Sequence, residues 1–348
     1  MNSMKKFEMV RTAAAIFIAL TIGMLLILLV SKQPVEALTN FIIGPLTKTR
    51  YIGNVIEAAI PLIFSGLAVS VLFQTKLFNM GAEGIFYISG LTAAILGIVL
   101  ELPPIIHPIV AILGGALVGA LIMGIVGFFK AKWNVSELVL SLMFNSILLG
   151  LGLFILNYFF RETNTVRLKS VEIHSTALLS KIVPTTRIHS GILIALLAVV
   201  LVHIFIYRTK WGYQIRMVGS NDKFADYSGI KVGKIVILAS LVAGGLAGMG
   251  GAVEVLGMHT NFNWAALPGY GFDGALIAML AKNKPINVIF SALFLAYIRT
   301  GAEIMARVTD VPAEMIGIMQ GLIILLISGQ KFLQFYKQRL ILKEAEVK

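Results

Sequence analysis

Two short segments place a carboxylate between glycines at the start of an apolar run: Gly81-Ala82-Glu83-Gly84 and Gly271-Phe272-Asp273-Gly274. An acid there meets the free backbone N–H groups and positive dipole end of a helix, so capping is one reading of Glu83 and Asp273. The flanking glycines permit tight turns and close backbone approach, which suits a helix broken at membrane depth and makes exposure to a solute path the other reading. Asn145 lies mid-run and needs a hydrogen-bond partner, either in a neighbouring helix or in a solute. Glu57, Glu137 and Glu254 fall near the ends of apolar runs, where carboxylates reach the interface; a shift of the span inward would turn each into a path candidate. A third constellation, Arg216 to Ile230, is polar. Asn221 can cap a short helix starting at Asp222 and Gly229 can end it, which sets Phe224, Tyr227 and Ser228 on one face open to a partner protein or to lipid.

Enzyme chemistry has little to work with. His107, His174, His189, His203 and His259 form no HExxH pair and have no nearby serine or cysteine arrangement, so no catalytic residue and no metal site is assigned. Gly229-Ile230-Lys231-Val232-Gly233-Lys234-Ile235 is the nearest approach to a phosphate loop. It is one residue short between its glycines and has Ile where Ser or Thr must meet Mg²⁺, so no ATP binding and no cofactor is expected. Zero cysteines exclude disulfides and thiolate sites.

The elements that must position these residues are membrane helices. Of 348 residues 58% are hydrophobic and only 13% charged, against roughly 25% charged in soluble domains. Uncharged runs cover 12–31, 58–75, 84–100, 102–129, 138–160, 188–207 and 235–253, each close to or beyond the ~20 helical residues that cross the hydrocarbon. The reading is an all-α polytopic membrane protein of about ten segments, near 12–31, 54–73, 84–100, 108–129, 137–158, 190–207, 235–257, 272–281, 286–300 and 313–328. The eighth is too short to span regularly. A cleaved signal peptide is the rival reading of 12–31, but that run exceeds the usual h-region and no small-x-small site follows. With the N-terminus inside, 19 of the 29 Lys and Arg fall in cytoplasmic pieces, which predicts two cytoplasmic termini in a cell membrane and accounts for a net charge of +12 through anionic lipid rather than nucleic acid.

The two glycine-acid-glycine segments follow spans that run in opposite directions, the layout of an inverted repeat. One transmembrane domain over 1–348 then comprises a first span 12–31, a first half 54–158, a linking span 190–207, a cytoplasmic loop 208–233, a second half 235–328 and a cytoplasmic tail 329–348. Gly244, Gly248 and Gly251 give the seventh span a smooth packing face. The stretch Met258 to Trp264 reads as an external belt or gate.

Pro61-Leu62-Ile63-Phe64-Ser65-Gly66-Leu67-Ala68-Val69, continuing to Leu77-Phe78-Asn79-Met80-Gly81-Ala82-Glu83-Gly84, resembles the signature of ABC-importer permeases for nucleosides and simple sugars, within the wider ribose and branched-chain amino acid permease group. Val218-Gly219-Ser220-Asn221 through Ser228-Gly229-Ile230 is similar to the coupling helix of that group, and Gly269-Tyr270-Gly271-Phe272-Asp273-Gly274 to its nucleoside branch. Ile85 stands where the group has Gln, and Ser220 and Asp226 where it has small or apolar residues. The resemblance implies two ABC ATPase subunits, a second permease, different or identical, and an extracytoplasmic substrate-binding lipoprotein. Nucleosides are the implied cargo, with simple sugars and riboflavin-like compounds as alternatives. It implies ATPase coupling by Gly219, Ser220, Asn221, Asp222, Phe224, Ala225, Tyr227, Ser228, Gly229 and Ile230. A neutral nucleoside needs aromatic faces and few polar groups, so Asn79, Glu83, Asn145, Phe272 and Asp273 are the expected path residues. An ion-coupled secondary transporter using Glu83, Asp273 or Glu254 is the reading from another class.

Overall fold

A computed structural model describes residues 31–312 except 164, with isolated positions 14, 17, 18, 21–25, 27, 28, 317, 318 and 321. The expected first span 12–31, the segment 313–328 and the tail 329–348 lie wholly or mostly outside the described residues. Twelve α-helices are described: α1 Pro34–Ile42, α2 Gly44–Thr47, α3 Thr49–Gln74, α4 Ala82–Val99, α5 Ile106–Trp133, α6 Glu137–Ile155, α7 Gly191–Arg208, α8 Lys210–Ser220, α9 Asp222–Tyr227, α10 Val232–Met258, α11 Tyr270–Leu280 and α12 Pro285–Val308. A π turn, Leu156–Phe160, extends α6. No strand occurs among the described residues, only the isolated bridges Arg161 with Ser170 and Lys181 with His189.

Seven helices (α3, α4, α5, α6 with its π turn, α7, α10 and α12) are long and apolar enough to cross a membrane. α11, at 11 residues, is not. Each lies where an apolar run predicts a helix, but α3 begins five residues before the expected segment 54–73, and α10 begins three residues before and ends one residue beyond the expected segment 235–257. Glu57, eight residues beyond the start of α3, and Glu254, four residues before the end of α10, are buried inside their helices, at 2% and 3% exposure, instead of lying at an open end. A charged residue delimits an uncharged run without delimiting a helix, because helix continuity depends on backbone bonds and buried partners.

The chain divides into two compact units, residues 53–296 and the terminal pair 1–52 with 297–348. In the terminal unit, α1 and α2 rest on the end of α12. The Tyr297 hydroxyl donates to the Ile42 carbonyl, a Cβ on Gly44 would press on Ile304, and one on Gly301 on the Phe41 backbone. Ser31 donates to Asp310 at 2.6 Å and Lys32 N–H at 2.8 Å. The Ser31 hydroxyl and then the Lys32 amide hold the exposed Asp310 carboxyl below its ordinary range.

In the larger unit α3 is central: 83% of its membrane-length window is buried. α5 and α10 pack antiparallel through backbone contact. Gly119 faces the Gly244 carbonyl, and a Cβ on Gly248 would fall 2.5 Å from the Gly115 carbonyl. Farther along α10, Gly251 lies against the backbone of Phe86 in α4. The glycine face read from spacing thus seats two different helices, as expected where small residues let backbones approach within a membrane. The outer sides of α5, α6 and α7 carry exposed Leu113, Leu117, Leu121, Val139, Met143, Ile147, Leu197 and Leu201, the apolar surface a bilayer solvates.

Candidate functional site

The two glycine-acid-glycine segments, 190 residues apart in sequence, meet. α4 and α11 approach N-terminus to N-terminus, and the Glu83 carboxylate accepts the N–H groups of Gly269, at the N-cap of α11, and of Gly271, the latter at 2.6 Å. One acid thus serves the first turn of the opposite helix. Gly269 adopts φ +88, a left-handed conformation that turns the chain into α11. A Cβ on Gly271 would lie 2.6 Å from the Glu83 nitrogen, so only glycine fits where the two ends touch. Around this contact the Ser65 hydroxyl of α3 donates to the Tyr270 carbonyl, and the Tyr270 hydroxyl donates to Glu254 of α10 at 2.7 Å. Glu83 and Asp273 are buried, while Phe272 is half exposed.

Below this junction the chain climbs from the end of α3 to the start of α4 as a non-helical segment, 75–81, and α6 bonds it from the side. Phe78 N–H points at Glu137 at 3.4 Å, Met80 N–H donates to Ser141 at 3.1 Å, and the Asn145 amide donates to the Met80 carbonyl at 3.0 Å while its oxygen accepts Gly84 N–H at 2.9 Å. Glu137 also pairs with Lys130 at 3.0 Å. Asn79 turns back on its own loop, accepting Gly81 N–H at 2.7 Å, and is buried. Of the five expected path residues, Asn79, Glu83 and Asn145 thus hold backbone together around one junction. Asp273 lies in the same first turn of α11, and Phe272 alone among the five has an open face.

α8 and α9 pack against the other end of segment 75–81. A Cβ on Gly219 would collide with the Gln74 carbonyl, the Lys76 ammonium donates to the Ser220 carbonyl at 2.9 Å, and the Gln74 amide reaches the Asn283 carbonyl beyond α11 at 2.8 Å. Asn221 caps α9 by accepting Phe224 N–H at 3.0 Å, and Gly229, at φ +81, ends it. Ala225 and Ile230 anchor α9, whereas Phe224 is 56% and Tyr227 92% exposed. Ser220, Asp222 and Ser228 are exposed beside them. Between α9 and the ends of α3, α5 and α10 lies a cavity of about 600 Å³ edged by Lys76, Lys130, Asn134, Glu137, Asp222 and Asp226.

On the opposite side, residues 170–190 fold over α4 and α10 through backbone bonds such as His174 to Gly97 and Leu179 to Leu256. The stretch after α10 packs inward: Phe262 is fully buried, 5.5 Å from Tyr87 and 5.3 Å from Trp264 between ring centroids. His189 is enclosed, its ring against Gly191 and Gly257, and burial holds its pKa down to about 4. Burial, with the Arg187 charge, also lowers that of His259. No group of three or more His, Asp or Glu among the described residues could hold a metal ion.

Sequence reading passed over Ser65, Gln74, Lys76, Ser141 and Tyr270. One signal was available: Glu137, Ser141 and Asn145 recur every fourth residue, a polar line along an otherwise apolar helix.

Residues 51–328 match the family described as branched-chain amino acid transport system / permease component. The guanosine ABC transporter permease protein NupP of Bacillus subtilis is 33% identical over 95% of this chain and 96% of its own length. The glucose ABC transporter permease protein TsgB13 of Haloferax volcanii is 29% identical over 92% of this chain and 87% of its own. A second guanosine ABC transporter permease protein of Bacillus subtilis, NupQ, is 25% identical over 69% of this chain and 77% of its own.

Proposed function

We propose that this chain, which belongs to the branched-chain amino acid transport system permease family, is the membrane-spanning subunit of an ABC importer that brings nucleosides into the cell. The observation that carries the reading is α9. It exposes Phe224 and Tyr227, yet its base is bonded to the ends of the membrane helices through Gly219, Ser220 and Lys76. An exposed aromatic pair on a short capped helix is a docking knob, and a knob tied to helix ends passes on the force it receives. Partner ATPases seat on α9 and the neighbouring residues 219–230, and their closure on ATP drives alternating access. In this reading ATP is bound by those partners.

Nucleosides are preferred because a relative 33% identical over 95% of this chain and 96% of its own length is a guanosine permease protein. A simple sugar is the second reading, favoured by the similarity to a glucose permease protein. Two different guanosine permease proteins of one organism resemble this chain, which supports assembly with a second, non-identical permease. An extracytoplasmic binding protein completes the complex. Both termini are cytoplasmic, and about ten segments form two inverted halves. The contact of α4 with α11 supports that symmetry, since equivalent helix starts meeting end to end are what a two-fold axis in the membrane plane produces. The solute path runs beside this contact, with Phe272 as its open aromatic face and Asp273, Glu83, Asn79 and Asn145 behind it.

The test is uptake into vesicles carrying the chain with its natural partners. ATP-dependent accumulation of labelled guanosine, inhibited by other nucleosides and indifferent to a proton gradient, is the expected result. Competition by glucose alone would favour the sugar reading. Uptake driven by a proton gradient, with no ATPase co-purifying, would overturn the importer reading in favour of ion-coupled transport.

A further inference from the structure

Segment 75–81 is non-helical backbone in the larger unit, and its surroundings explain how a permease can contain it. Within hydrocarbon, backbone N–H and C=O groups must find partners inside the protein. Here α6 supplies them. Glu137, Ser141 and Asn145 stand one above another at intervals of four residues, covering about 12 Å of helix at 1.5 Å per residue. They meet Phe78, Met80 and Gly84 in the same order. Met80 is held twice, N–H by Ser141 and carbonyl by Asn145, and cannot slide along α6 without breaking both bonds. Asn145 is 5% and Ser141 0% exposed, so water does not compete for these bonds.

The segment held this way joins the two places where the transport cycle acts. Its lower end is fixed to the coupling element, Lys76 to Ser220 and Gln74 beside Gly219. Its upper end delivers Glu83 to Gly269 and Gly271 at the start of α11. α6 otherwise presents a lipid-facing surface, with Val139, Met143, Ile147 and Leu151 exposed.

We propose that α6 is the guide rail of the coupling stroke, and that Asn145 and Ser141 are positioning residues that keep segment 77–84 in register. Displacement of α9 then reaches the contact between α4 and α11 instead of being absorbed by a loose loop. This inference rests on the importer reading above. Asn145 is assigned to transmission, acting through Met80 and Gly84, and not to solute recognition.

The experiment uses the complete transporter in vesicles and records, in the same preparation, ATP hydrolysis stimulated by guanosine-loaded binding protein and labelled guanosine taken up per ATP. Asn145→Ala and Ser141→Ala are expected to keep most of the hydrolysis while uptake per ATP falls about tenfold, the size of effect that about 1.4 kcal/mol of lost positioning produces. Asn145→Asp, protonated at this buried site, keeps an acceptor for Gly84 N–H and replaces the amide donor to Met80 with a shorter-reaching O–H, so its ratio falls between wild type and Asn145→Ala. Uptake affinity for the solute stays unchanged in all three. Ser240→Ala removes an equally buried hydroxyl that bonds only its own helix, at Val236, and leaves the ratio at the wild-type value.

Hydrolysis and uptake falling together, in proportion to assembled complex, would reduce the residues to structural glue and overturn the proposal. So would a wild-type ratio in Asn145→Ala and Ser141→Ala, or a changed solute affinity with an unchanged ratio. A wild-type complex without ATP-dependent uptake would instead refute the importer reading on which the proposal stands. Should Asn145→Ala fail to assemble, Ser141→Ala and Asn145→Asp carry the decision.

Discussion

Removing the Glu83 carboxylate tests the contact at the centre of the larger unit. In Glu83→Ala the N–H groups of Gly269 and Gly271 lose their acceptor, and each stranded buried donor costs about 1–3 kcal/mol. The favourable placement of an anion at a helix N-terminus is lost as well, worth about 0.3–1 kcal/mol. The expected total is about 2–7 kcal/mol. Glu83→Gln keeps one carbonyl acceptor but turns its NH₂ toward the other N–H, so it loses one bond and the anion and is expected to cost about 1.3–4 kcal/mol. Thermal unfolding of the detergent-solubilised protein, followed by tryptophan fluorescence, reads the difference. At about 2–4 °C per kcal/mol for a unit of this size, Glu83→Gln lowers Tm by about 3–16 °C, with Glu83→Ala at least as low. If Glu83→Gln melts within about 2 °C of wild type, the carboxylate is not what joins the two helix ends.

Phe224→Ala and Tyr227→Ala, alone or together, leave Tm unchanged because these side chains touch little of the fold, yet they reduce co-purification of the ATPase subunits at least tenfold when combined, about 1.4 kcal/mol or more. The buried His189 makes stability fall in acid. Its folded pKa of about 4 lies below the ordinary 6.5, so the unfolded chain takes up its proton first. Stability is therefore full above pH 6.5 and falls by about 3 kcal/mol as pH drops toward 4; the Tm of His189→Gln declines less steeply over that window. Gly248→Ala places a methyl group 2.5 Å from the Gly115 carbonyl and costs about 1–3 kcal/mol, whereas Gly150→Ala, with open space around it, leaves Tm at the wild-type value.

Hydrophobic patterning made the helices readable, and a fixed spacing of small residues made the face of α10 readable, because both follow from the 3.6-residue turn. Local chemistry also sufficed for α9: Asn221 and Gly229 act within six residues of the helix they bound. The partner of Glu83 was not readable, since Gly269 and Gly271 lie 186 and 188 residues away and nothing local distinguishes an acid that caps its own helix from one that caps another. The burial of Glu57 and Glu254 was hidden for a related reason. A carboxylate interrupts a hydropathy pattern whether it meets water or a buried donor such as Tyr270. The role of Asn145 stayed open because an amide in a span satisfies backbone or solute equally well, and only the position of Met80 chooses.

The glycine contact between α5 and α10 also limits what can move. Each backbone fits the hollows of the other at steps of four residues, with Gly115 and Gly119 on one side and Gly244 and Gly248 on the other. A slip of one residue would drive a side chain into a carbonyl group, and the next comparable fit lies about 6 Å along the axis. Small displacements of this pair are therefore forbidden and large ones must be made in a single jump. α5 and α10 behave as one beam, and whatever rearrangement admits a solute takes place around it.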